Sequence, residues 1–77
     1  MSMTPEQIRK QGICKWELLD LCQEIDRSVI RLDYKADKSG EETVTIVYNT
    51  SCGEYKRPVN VTGDSLSALA RDVLKYF

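Results

Sequence analysis

Three cysteines are the most reactive side chains of this 77-residue chain, which contains no histidine. Cys52 stands beside Gly53 in a predicted turn, and the nearest bases along the chain are Lys56 and Arg57. A nearby positive charge lowers the pKa of a thiol and favours the nucleophilic thiolate. Cys52 is therefore the candidate reactive thiol. No residue in the sequence fixes a base beside it, so a plain turn residue is the simpler interpretation.

The absence of histidine excludes several kinds of site. A serine or cysteine nucleophile paired with histidine is impossible, and so is a histidine metal site. No CxxC pair occurs, and Cys14 and Cys22 fall on a predicted helix as small hydrophobic residues. We therefore expect no metal and no cofactor.

Two pairs of carboxylates are the remaining candidates for acid–base chemistry. Glu41 and Glu42 lie in a predicted turn, and Asp20 and Glu24 share the outer face of a predicted helix. We expect all four to be exposed, where nothing raises a pKa far enough for acid catalysis. The sequence thus predicts no catalytic residues and a protein that is not an enzyme.

The composition is that of one small folded domain. The chain has 42% hydrophobic and 30% charged residues, with 11 basic and 12 acidic side chains and a net charge of −1. A chain of this size buries about 60% of its surface on folding, which supports a single core over residues 1–77. The segment Met1–Glu6 lacks the regions of a signal peptide, and an odd cysteine count gives no closed disulfide framework. We expect a cytoplasmic protein with reduced thiols and no membrane span.

Apolar residues at spacings of three and four predict a helix at each end of the chain. The first begins with a capping box at residues 4–7, has a weak point at Gly12, and ends near residues 27–28. The last begins with an N-cap at residue 64 or 65. The two apolar stripes are Cys14, Leu18, Leu21, Cys22, Ile25 and Val29, and then Leu66, Leu69, Ala70, Val73, Leu74 and Phe77.

Alternating apolar and polar residues predict three strands between the helices, at residues 30–36, 43–49 and 55–61. Short connections favour an antiparallel meander, and Pro58 places the third strand at an edge because it cannot donate a ladder hydrogen bond. The order α-β-β-β-α predicts a two-layer α+β fold with both helices on one sheet face. The expected core is Leu18, Leu21, Ile25, Leu32, Ile46, Leu69 and Val73, with Tyr34, Tyr48 and Tyr55 facing inward.

The other sheet face is then left uncovered. It is polar and mixed in charge, with Arg31, Asp33, Lys35, Thr43, Thr45, Val47, Asn49, Glu54, Lys56 and Asn60. A solvated surface is one interpretation, and a recognition surface for another protein is the other. The predicted binding residues are Arg31, Lys35, Thr45 and Lys56, with Trp16 as a secondary anchor. The open edges of the sheet could also pair with a partner strand.

The element order and the length resemble the double-stranded-RNA-binding domain. That family clamps phosphates with a lysine cluster at the start of its second helix. The matching stretch here, residues 63–68, reads Gly-Asp-Ser-Leu-Ser-Ala and contains no lysine. The resemblance implies the fold, and at most weak binding of nucleic acid.

The size and the absence of catalytic groups are also similar to small proteins encoded by phages and mobile elements. Some of those proteins bind and block a host enzyme, including CRISPR nucleases. The sequence therefore predicts a small protein-binding module, with regulation or inhibition of a host protein as its role. The alternative is a weak nucleic-acid-binding domain.

Overall fold

The computed structural model describes residues 3–77, and Met1 and Ser2 lie outside them. The chain forms three helical segments and three strands, and the α+β class and its element order are confirmed. In chain order the elements are α1 (Pro5–Lys15), α2 (Glu17–Ile25), β1 (Val29–Ala36), β2 (Glu42–Thr50), β3 (Gly53–Asn60) and α3 (Leu66–Leu74).

Local capping explains where the helices begin. The Thr4 hydroxyl accepts a hydrogen bond from the Gln7 amide at 3.2 Å, and the Gln7 side chain accepts one from the Thr4 amide at 3.0 Å, which completes the predicted capping box. At α3, the Ser65 hydroxyl accepts from the Ala68 amide at 3.2 Å. The first helical segment breaks at Trp16 and not at Gly12, which lies inside α1. It ends at Ile25, slightly earlier than predicted.

The strands form an antiparallel sheet in the order β1-β2-β3, as the short connections predict. Gly40 and Gly53 have φ values of 90° and 111°, so each supplies the left-handed residue that its hairpin turn needs. A β-bulge shifts the register of β1 between Val29 and Arg31. The extra residue, Ile30, is exposed, and Val29 takes its place in the core. The prediction that the inward alternation begins at Ile30 was therefore wrong.

The helices cover one face of the sheet and share a single core with it. Cys14, Leu18 and Cys22 lie one turn apart along the buried stripe of α1 and α2. The other members of the core are Val29, Leu32, Tyr34, Val44, Ile46, Val59, Val61, Leu69 and Val73. Within residues 3–77, no helix is long and apolar enough to cross a lipid bilayer.

Two predicted core residues are exposed. Leu21 keeps 44% and Ile25 keeps 55% of its surface in solvent. The helix break at Trp16 and the position of α3 explain the difference, because α3 packs against α1 more than against α2. Leu21 therefore lies on the uncovered flank of α2, and Ile25 lies at its last residue.

Val47 departs from prediction in the opposite sense. It belongs to the uncovered sheet face, opposite Arg31 on β1 and Lys56 on β3. It is nevertheless fully buried and stands outside the main core. The neighbours of Val47 on both strands are long charged side chains, a type whose aliphatic stems cover apolar surface while the charges stay in water.

Candidate functional site

The outer edge of β1 is an unpaired strand edge. Glu42, opposite Ala36, donates its amide to the Thr62 hydroxyl at 2.9 Å, and its carbonyl accepts from the Val61 amide at 3.0 Å. The backbone groups of Glu42 thus point away from β1. Because antiparallel ladders alternate, the amides and carbonyls of Leu32, Tyr34 and Ala36 point out of the sheet. These groups can pair with an added strand.

A groove runs between this edge and α1, and we call it the β1-edge groove. One wall is β1 itself, and the other is formed by α1 and the start of α2. Ile8 projects into solvent at its mouth with 57% of its surface exposed. Gly12, in the middle of α1, leaves part of the wall without a side chain. The lining residues are Ile8, Gln11, Gly12, Lys15, Leu19, Arg31, Leu32, Asp33, Tyr34 and Lys35.

Charged side chains of alternating sign occupy the open-face side of β1. Arg31, Asp33 and Lys35 follow one another at every second residue, so all three lie on the same face. The Arg31 Nε donates to both carboxylate oxygens of Asp33 at 3.0 Å. That hydrogen bond is the largest factor that raises the pKa of Arg31. All of these groups are partly or largely exposed, so they are available to a partner.

A buried ionic network behind the groove joins α1 to β2, and Tyr34 of β1 takes part in it. The Lys10 ammonium donates to Glu42 Oε2 at 2.7 Å, and the Tyr34 hydroxyl donates to the same oxygen. The Gly63 amide donates to Glu42 Oε1 at 3.0 Å. Burial raises the pKa of the Glu42 carboxyl, but the hydrogen bonds from Lys10, Tyr34 and Gly63 outweigh it and leave the pKa below 4.5. Burial and then the bond to Glu42 raise the pKa of Tyr34.

The prediction that Glu42 is an exposed turn residue was therefore wrong. Its partner Glu41 is exposed, as expected. The sequence held two signals for the network. Lys10 precedes Cys14 by four residues, on the same helical stripe, and Glu42 shares the inward alternation of Val44 and Ile46. Because each of these two opposite charges lies on a face that is otherwise apolar, together they predict a buried ion pair.

The predicted binding residues lie in different places. Arg31 and Lys35 are exposed and line the β1-edge groove. Thr45 is half-buried and Lys56 is exposed, and both lie farther across the open sheet face. Trp16 is 63% exposed but belongs to the helix layer, where the Lys15 ammonium lies 5.7 Å from its ring centroid. The structure thus brings together two of the five residues at the groove.

A second exposed cluster lies beside β3. The Arg57 guanidinium lies 5.9 Å from the ring centroid of Tyr55 and 5.2 Å from that of Tyr76. Tyr48 lies 5.7 Å from Tyr55 and 6.4 Å from Phe77. Tyr55 faces inward in register but remains 50% exposed, so that end of β3 is covered only in part. Sequence alternation predicts which side of the sheet a residue faces, but it does not predict how far along β3 the helices bury that side.

Two of the three free thiols are buried, as predicted. Burial, and then the proximity of Cys22, raise the pKa of Cys14 to about 12, and burial raises that of Cys22 to about 11. Cys52 is exposed in the β2–β3 turn. Arg57, one of the bases proposed to activate it, stacks on Tyr55 and Tyr76 instead. The structure therefore brings no arginine to Cys52 from that position.

A carboxyl pair that the sequence analysis missed lies along α3. The interaction between the carboxyls of Asp64 and Asp72 raises the pKa of Asp64, with a contribution from burial, and lowers the pKa of Asp72. Lys75 approaches Asp72 at 3.4 Å and Arg71 approaches it at 3.8 Å. The negative charge of Asp72 is therefore balanced locally. Among residues 3–77, no three metal-ligating side chains converge.

The fold and the groove define a small two-layer α+β domain in which the edge of β1 is open to an added strand. Comparison with models of known protein families, with curated proteins and with solved structures finds no significant match. We therefore infer a function from the chemistry of the surfaces.

Proposed function

We propose that this chain is a non-enzymatic protein-binding domain whose partner adds an extended strand to the edge of β1. The observation that supports it is the row of outward-pointing backbone groups on Leu32, Tyr34 and Ala36, next to the β1-edge groove. Main-chain hydrogen bonds to such an edge provide affinity, and alternate side chains provide specificity.

The two walls of the groove suit the two sides of an added strand. Side chains of a bound strand alternate between faces, so every second one would point toward Ile8 and Leu19 in the groove. The others would lie on the open face beside Arg31, Asp33 and Lys35. A partner strand with apolar residues at one set of positions and charged residues at the other fits both walls.

The location of the ionisable groups supports a binding role over catalysis. The Lys10–Glu42–Tyr34 network has its hydrogen-bonding groups turned toward one another and buried. Histidine is absent from the sequence, and the Arg57 side chain is engaged by two tyrosines. A phage-encoded or element-encoded inhibitor would be one instance of a protein that acts through binding alone.

Site-specific photo-crosslinking tests the proposal. A photoreactive residue placed at Gln11, an exposed position of the groove wall, should crosslink to protein in the cells that produce the chain. The same residue at Glu24, exposed on the outer face of α2, is the control and should not give that product.

The Ala36→Pro variant should prevent strand addition without unfolding the domain. Ala36→Pro removes an amide that points out of the sheet and leaves the ladder with β2 intact, because edge strands tolerate proline there. The Gln11 crosslink should disappear in this variant while circular dichroism stays unchanged. A crosslink that persists in folded Ala36→Pro would refute strand addition at β1.

Weak nucleic-acid binding is the competing proposal, favoured by the shared face of Arg31, Lys35 and Lys56. Asp33 and Glu54 lie on the same face and reduce its positive potential. Fluorescence anisotropy with labelled double-stranded RNA, double-stranded DNA and single strands separates the two. We expect any binding to be lost at physiological salt; binding that survives there would favour nucleic acid.

A further inference from the structure

The free edge of β1 has a charge pattern that is complementary to itself. Arg31, Asp33 and Lys35 alternate in sign at every second residue of β1. Asp37, directly after the strand, continues the alternation, and its carboxylate also accepts hydrogen bonds from the amides of Ser39 and Glu41. In an antiparallel pair of two such strands with Tyr34 facing Tyr34, Asp33 faces Lys35 and Arg31 faces Asp37. A shift that sets Asp33 against Asp33 would instead place like charges opposite one another. Opposite charges across a pair stabilise it, and like charges weaken it.

We infer that a second copy of this chain occupies the β1-edge groove. Two three-stranded sheets then join into one six-stranded antiparallel sheet, with a twofold axis at Tyr34. The inference rests on the proposed function, because it names the partner for the same groove. A twofold interface requires a self-complementary surface, and the alternating charges of β1 provide one.

The backbone supports this register. The outward-pointing groups belong to Leu32, Tyr34 and Ala36, and the Tyr34-centred register pairs these residues among themselves with about six hydrogen bonds. The charged residues then fall in the non-hydrogen-bonded pairs, where side chains are closest. The alternative centre at Leu32 would run the pairing through the β-bulge between Val29 and Arg31.

Gly12, in the wall of the same groove, supports the second copy independently of the charge pattern. A Cβ built on Gly12 would meet no atom within 4 Å, so packing within one copy does not require glycine there. Glycine inside a helix is less stable than alanine, and it is tolerated where another backbone approaches closely. The twofold axis brings α1 of each copy toward that of the other, with Gly12 and the exposed Ile8 between them.

A charge-swap experiment tests the inference. Sedimentation equilibrium of the wild-type chain should show a monomer–dimer equilibrium. Lys35→Asp and Asp33→Lys each create two like-charge contacts in the Tyr34-centred register, and each should weaken the dimer at least about tenfold. An equimolar mixture of the two variants should recover the wild-type affinity, because only the heterodimer restores opposite charges. Lys56→Asp, on β3, is the matched control and should leave the dimer unchanged.

Gly12→Ala gives a second readout. We expect it to raise the denaturation midpoint of the chain and to weaken dimerisation at the same time. A glycine with no role at an interface would raise the midpoint and leave the association unchanged, which would contradict the helix contact.

A wild-type chain that is monomeric up to about 500 µM would overturn the second copy as occupant. So would a mixture of the two charge variants that stays monomeric. If the Gln11 crosslink to another protein still disappears in Ala36→Pro, the proposed strand addition stands with a different partner. If neither the dimer nor the crosslink is found, both proposals fail.

Discussion

The two edges of the sheet differ in how they meet solvent. On β1, residues 31–36 contain no proline and no bulge, and three alternating charges follow one face. On β3, Pro58 lies opposite Thr45 in a non-hydrogen-bonded pair, so its nitrogen points out of the sheet. Proline at such a position blocks an added strand. The chain therefore protects one edge and leaves the other available.

The side chains that face the helices are also better buried on β1 than on β3. Behind β1, Leu32 and Tyr34 are buried, and the Tyr34 hydroxyl joins β1 to the Lys10–Glu42 pair that links α1 to β2. Behind β3, Tyr55 is half-exposed and only Val59 is fully covered. The available edge is thus the firmly supported one, as expected of a binding site on a rigid element.

The largest expected effect comes from breaking the support behind β1. Glu42→Leu leaves the Lys10 ammonium buried without its counter-charge and should cost about 3–5 kcal/mol of unfolding free energy. A 77-residue domain has about 4–11 kcal/mol in total, so much of the protein would unfold. Urea denaturation followed by circular dichroism measures the loss.

A rescue variant separates the buried charge from the loss of packing. Replacing the whole network by apolar groups, as Lys10→Met, Tyr34→Phe and Glu42→Leu together, should recover most of the stability. A Glu42→Leu loss below about 1 kcal/mol would show that solvent reaches the network.

Two tyrosines make a matched comparison of the edges. Tyr34 on β1 and Tyr55 on β3 share the inward register, but Tyr34 is buried and Tyr55 is half-exposed. Tyr34→Ala should cost about 3–5 kcal/mol, as for a core aromatic. Tyr55→Ala should cost about 1 kcal/mol, mainly its stacking with Arg57. Equal losses by urea denaturation would contradict the difference in cover.

The contrast between these tyrosines also shows what the sequence could predict. Periodicity correctly predicted the strands and the inward side of all three strand tyrosines, residue types predicted the capping box, and short connections predicted the meander. Periodicity could not predict which inward-facing side chains the helices bury, because that depends on where α3 crosses the sheet. Leu21, Ile25 and Tyr55 were placed in the core for that reason.

The candidate site was only partly predictable. Arg31 and Lys35 were assigned to binding from their place on the open face, and Pro58 was assigned to an edge from its missing amide. The groove itself was not predicted, because it needs α1 beside β1 in space. The signal for the Lys10–Glu42 pair was present in two separate periodicities, and neither charge alone indicates its partner.

Acid should weaken the protein through the same network. Hydrogen bonds hold the pKa of Glu42 below 4.5 in the folded chain, so the unfolded chain binds more protons in acid. The contribution is present above pH 4.5 and is lost as the pH falls through the folded value. Urea midpoints measured from about pH 6 down to about pH 3 should therefore fall.

The triple apolar variant is the control for this pH dependence. It lacks Glu42 but keeps Asp26 and Asp37, whose pKa values are also lowered by hydrogen bonds, chiefly from Ser28 and Ser39. Its midpoints should fall less steeply than those of the wild type. Identical slopes would place the acid sensitivity at the other carboxylates and not at the network.

Replacing Pro58 on β3 should have the smallest effect on stability. It is also the sharpest test of the comparison between the two edges, because it removes the proline that protects one of them. Pro58→Thr restores an outward amide on β3 and should change the unfolding free energy by less than about 1 kcal/mol. It should also create a second site for strand addition, so assemblies larger than the wild-type species should appear in sedimentation velocity. Pro5→Thr, at the chain's other proline, controls for loss of a proline and should leave the assembly state unchanged. If Pro58→Thr also leaves it unchanged, other side chains of β3, such as the stacked Arg57 and the exposed Lys56, are what protect that edge.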